Sequence, residues 1–162
     1  MKSSAKSLLL AAFLVLGVIG YALGANVDSH TVTVTVSAIN ELAITGGNIT
    51  LTINTATAGQ EPTDAVDNTT CDLDWTTNQA NKKVTVATDL GAPTFTLKVI
   101  AQNVTGGTAA AEVTLSTTAA DFVTGIATTT GGCDLQYTAS ATVSQGTGSD
   151  VHTVTYTLTD GP

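Results

Sequence analysis

The chain has 162 residues, with 13 acidic side chains against five lysines and no arginine, a formal charge of −8 and 4% aromatic residues. Such a surface repels phosphate backbones and anionic lipid headgroups, which excludes nucleic-acid binding. A disordered acidic chain would carry far less Val, Ile and Leu, so the composition is that of a folded domain.

At the start, Lys2 and Lys6 precede the uncharged run LLLAAFLVLGVIG, which gives way to the small-residue segment YALGA. That is the order of a secretory signal peptide, with Ala22 and Gly24 at −3 and −1 of a cut after Gly24. Residues 1–24 are therefore expected to be a cleaved leader and residues 25–162 a single exported domain with no membrane partner after cleavage. Two alternatives stand beside this. A permanent membrane helix needs about 20 apolar residues, and the run here is short and contains Gly17 and Gly20. A pilin-like subunit would instead keep the apolar helix after a cut near Lys6 or Ser7.

Past the leader, alternation of period two recurs to the end of the chain. HTVTVTVSAI places Val32, Val34 and Val36 on one side and Thr31, Thr33 and Thr35 on the other, with Ile39 following. NELAITGG reads as its connection to the body, and NITLTIN, with Ile49, Leu51 and Ile53, as the second strand. A polar loop, TATAGQEPTDAVDNTT, then leads to TCDLDWT, KKVTVAT, TFTLKVIA, EVTLSTT, CDLQYTASATV and VHTVTYTLT. AADFVTGI reads as a short helical turn at a corner. The expected fold is all-β: an antiparallel immunoglobulin-like sandwich, jelly-roll or Greek-key, of about eight strands.

The two ends of the exported part, HTVTVT from His30 and HTVTYT from His152, are near-copies. Convergence of Thr-rich strand sequence explains this simply. The sharper reading is that residues 30–39 form a strand able to complete a neighbouring subunit's sheet, since flat, uncharged edges are normally suppressed in soluble monomers.

Little of the sequence points to chemistry. Cys71 and Cys133 open matching stretches, CDLDW and CDLQY, with no C-x-x-C and no nearby histidine for a zinc site. An oxidising compartment favours a disulfide between them. Counting strands makes CDLDW the third and CDLQY the seventh, so strict alternation runs them the same way, with both cysteines at one end of the sandwich. Closing so long a loop would contribute about 4 kcal/mol. Glu61, Asp64, Asp67, Asp72 and Asp74 supply hard oxygen ligands suited to calcium, without EF-hand or nonapeptide spacing; no other cofactor is implied. His30 and His152 are the only imidazoles and no G-x-S-x-G is present, so no catalytic residue is assigned and an enzyme is not expected. Asn48, Asn68 and Asn103 head glycosylation sequons.

A leader followed at once by VTVTVSAINELAITGGNITLTI, a Thr/Val sandwich and the closing strand HTVTYTLTDG resembles the secreted β-sandwich subunits of prokaryotic extracellular fibres joined by donor-strand exchange. Archaeal threads, bundling pili and TasA-like matrix fibres are of this kind. The resemblance implies a homopolymer at the cell surface. It gives the donor role to Thr31 through Ile39, with Val32, Val34 and Val36 filling a groove in the next copy. A secreted monomeric module binding carbohydrate or calcium is the alternative from a different class; its first strand would pair within its own domain.

Overall fold

The computed structural model describes residues 26–162, so the expected leader lies outside the described residues. The chain divides into two units, Met1–Thr35 and Val36–Pro162. Of the first, residues 27–35 form no strand and are exposed throughout.

The second unit is a β-sandwich. In chain order its strands are β1 (Asn40–Gly46), β2 (Ala65–Asp67), β3 (Cys71–Thr77), β4 (Lys82–Thr88), β5 (Thr96–Thr105), β6 (Thr108–Ala109), β7 (Val113–Thr114), β8 (Ala120–Ile126), β9 (Thr129–Ser140) and β10 (Val154–Asp160). One sheet runs β1-β3-β9-β5-β7, with β2 also paired to β9, and the other runs β10-β4-β8-β6. Every pairing between these strands is antiparallel.

The core follows from the alternation. Cys71, Leu73, Trp75 and Thr77 of β3 are buried while Asp72, Asp74 and Thr76 between them are exposed. From the opposing sheet come Val84, Val86, Phe122, Val123, Ile126 and Tyr156. Each such large side chain contributes about 1.5–3 kcal/mol on full burial. The layers are tied by Tyr137 of β9 and Tyr156 of β10, whose hydroxyls lie 2.8 Å apart. Phe122 packs on Tyr156 with ring centroids 5.1 Å apart, a tilted geometry that aromatic pairs prefer. Burial raises the pKa of both tyrosines, so the pair stays protonated and bridging.

Four expectations need correction. NELAITGG, read as a connection, contains the first strand, NELAITG, while HTVTVTVSAI forms no strand among the described residues. NITLTIN joins no sheet. AADFVTGI is a strand, β8, in which the successive residues Phe122 and Val123 are both buried. Register shifts against β4 around Val84 mark a bulge, and a bulge breaks the period-two pattern that would have identified it. Finally, CDLDW and CDLQY are not same-direction strands. They lie on β3 and β9, which are direct antiparallel neighbours.

Candidate functional site

The two sheets differ in length, and this leaves a gap. β9 has 12 residues, whereas β4 and β10 have seven each. Val154 of β10 is opposite Thr88, the last residue of β4. Beyond this point no strand of the shorter sheet covers the inner face of the longer one, and an open groove of about 1410 Å³ lies over it. Its apolar lining includes the half-buried Leu97 of β5 and Ala139 of β9, above the buried Leu135, Tyr137 and Cys71.

Two segments outside any sheet form its rims, residues 47–55 and 146–153. Along the first, Ile49, Leu51 and Ile53 are half-buried while Asn48, Thr50, Thr52 and Asn54 are exposed, the alternation an extended chain produces. Ile49 and Leu51 pack on the core. Yet among the described residues no backbone hydrogen bond to other backbone is made by residues 48–54, or by residues 147–152. Such groups beside an apolar surface are normally paired. Among the described residues the groove thus has the lining of a core and two edges without ladder partners.

Side chains hold the second rim in place. The Phe95 N–H donates to Asp150 at 2.7 Å, and the Thr153 N–H donates to Asp89 at 2.7 Å. These backbone donors hold both carboxyls below the usual range. Gln145 donates to the Thr94 carbonyl at 2.6 Å, and the ring Nδ1 of His152 lies 3.1 Å from the Thr88 hydroxyl.

Residues 31–39 are exposed. Val32, Val34 and Val36 are 72%, 82% and 72% exposed, and Ile39 is also exposed. Thr31, Thr33 and Thr35 are exposed as well.

The cysteines form no bridge; both are free, buried thiols. Cys133 is opposite Leu73, so Cys71, two residues earlier on the same face of β3, is its diagonal neighbour. Diagonal pairs sit about 7–8 Å apart, beyond the Cα separation of about 4.4–6.8 Å that a disulfide spans. The Cys71 thiol donates instead to the Gly47 carbonyl, at 3.0 Å. Burial, with the negative charges of Asp134, Asp72 and Asp74, pushes the Cys133 thiol up to about 12. At pH 8 its thiolate fraction is then about a thousandth of an ordinary cysteine's. Iodoacetamide should therefore leave Cys133 unmodified in the native protein and label it once urea unfolds the chain, read by peptide mass spectrometry. Labelling at equal rates in both states would contradict this environment.

The five carboxylates expected to hold calcium are not gathered. Glu61 accepts from the Val143 N–H at 2.6 Å, and Asp67 accepts from the Thr70 hydroxyl at 2.7 Å and its N–H at 3.2 Å. Asp72 and Asp74 face outward on β3, and Asp64 is exposed in a loop. Among the described residues no three acidic, histidine or cysteine side chains are grouped to hold a metal. All three sequon asparagines are exposed. Asn48 stands on the groove rim, and Asn103 donates to Asp134 at 2.6 Å. Both rims escaped sequence reasoning for one reason: alternation reports which face is buried, not whether the backbone edge has a partner. No protein-family model matches the chain, and no curated protein and no solved structure matches it.

Proposed function

We propose that the protein is a non-catalytic structural subunit of a self-assembling extracellular or cell-surface filament, in which the valine-bearing part of the segment 30–39, residues 31–36, of one copy fills the groove of the next. The observation that carries this reading is complementarity within one chain. The chain carries both an exposed, alternating valine segment, Val32–Val36, and an apolar groove whose two rims make no backbone-to-backbone hydrogen bond over residues 48–54 and 147–152 among the described residues. A strand laid between those edges would complete two ladders at once, place Val32, Val34 and Val36 on the floor and leave the threonines outward. The bond between copies is then a strand of core, strong without a large flat interface.

Electron microscopy of the protein starting near Ala25 should reveal filaments. Removing residues 26–39 should leave folded monomers that bind a synthetic peptide of residues 28–39. Filaments formed by the truncated protein, or folded monomers indifferent to the peptide, would overturn the reading.

A further inference from the structure

The groove and the point at which residues 30–39 join the body lie at opposite ends of β1. Asn40 at its start pairs with Thr77 and Gly46 at its end with Cys71, and Gly46 and Cys71 are groove residues. Seven residues of strand separate the two ends by about 20 Å. A subunit with donor and acceptor at opposite ends assembles head to tail and propagates rather than closing on itself.

Immediately before β1, one side chain holds the backbone. The Ile39 N–H donates to Asn78 Oδ1 at 2.8 Å, Asn78 Nδ2 donates to the Ser37 carbonyl at 2.8 Å, and the Asn78 N–H donates to the Ile39 carbonyl at 3.2 Å. The sheet pairing of β1 with β3 ends at Asn40 and Thr77, and the Asn78 amide carries it one step further. Its neighbours brace it: the Thr77 hydroxyl donates to Asn40 Oδ1, and Asn40 Nδ2 donates to Gln79 Oε1, both at 2.7 Å.

We propose that Asn78 is a positioning residue, a clamp on Ser37–Ile39 that sets the direction in which the donor strand leaves each subunit and so stiffens the joint between successive subunits. The inference rests on the filament reading above. In such a joint residues 31–36 move with the next copy and residues from Asn40 onward with their own, so Ser37–Ile39 is the whole covalent connection. Three residues with free backbone torsions would swivel. The Asn78 side chain, bonded to both ends of the connection, removes that freedom without touching the donor valines or the groove.

The test separates the clamp from the filament. In Asn78→Ala, filaments should still form and the body should still bind the 28–39 peptide, while persistence length measured from micrographs falls by about threefold or more. Asn78→Asp keeps the acceptor for Ile39 but loses the donor to Ser37, so it should be intermediate, and it serves if the alanine variant folds poorly. A change of melting temperature alone, with stiffness unaltered, would mark Asn78 as merely structural and overturn the proposal. The clamp is also read without filaments, in the Val34→Asp protein: the Ile39 amide should be protected from hydrogen exchange and should exchange about tenfold faster or more once Asn78 is alanine. An unprotected Ile39 amide there overturns the clamp. A protected one, together with a parent protein that never polymerises, upholds the clamp and sinks the filament reading instead.

Discussion

Val34→Asp should yield a folded, monomeric protein that no longer polymerises. Val34 is 82% exposed, so the subunit itself has nothing to lose, and substitutions at such a position usually change stability by less than about 0.5 kcal/mol. In the assembled state the same residue would sit at the centre of the inserted strand, facing the groove lining at Leu97 and Ala139. Losing its burial forfeits about 1.5–3 kcal/mol, and placing an unpaired carboxylate there adds its desolvation. A combined cost of about 4 kcal/mol weakens each joint about a thousandfold. Light scattering of Val34→Asp at concentrations where the parent protein polymerises gives the answer, with Thr33→Asp as a matched control. The charge is the same, but position 33 alternates to the outer side of the strand, so its filaments should survive. Equal polymerisation by Val34→Asp and the parent, or equal loss in both variants, would remove the groove from the account.

The second large effect concerns the subunit body. Gly131→Ala should lower the melting temperature by about 10 °C, corresponding to about 3 kcal/mol in a domain of this size. A Cβ at Gly131 would lie 2.3 Å from the Thr105 carbonyl oxygen and 2.6 Å from Trp75 Nε1. Neither gives way easily, because one is strand backbone and the other belongs to an indole 2% exposed in the core. At the adjacent Gly132 the nearest atom is Asp74 Oδ1, at 2.5 Å. It is the tip of a side chain that can swing out, so Gly132→Ala should cost less. Gly47→Ala meets nothing within 4 Å and should unfold within about 0.5 kcal/mol of the parent. Calorimetry on the three variants checks the order, and an unperturbed Gly131→Ala would refute the packing of Trp75 against β9.

The sequence by itself determined the all-β class and most of the strands, because burial on one face forces alternation and alternation is visible in KKVTVAT, TFTLKVIA and VHTVTYTLT. It also determined the inward set on β3 and β9, where Cys71, Leu73, Trp75, Cys133, Leu135 and Tyr137 all face the core. Only the tertiary structure decided which strands are neighbours. CDLDW and CDLQY, counted as same-direction strands, proved adjacent and antiparallel, with their cysteines diagonal and unbonded. Only it decided that two strongly alternating segments, HTVTVTVSAI and NITLTIN, have no ladder partner among the described residues, and that Asn78 grips the first of them at Ser37 and Ile39. The physical reason is common to all three. A side-chain pattern records the environment on either face of a strand, whereas pairing, direction and vacancy are properties of its backbone edges, which every residue but proline presents alike.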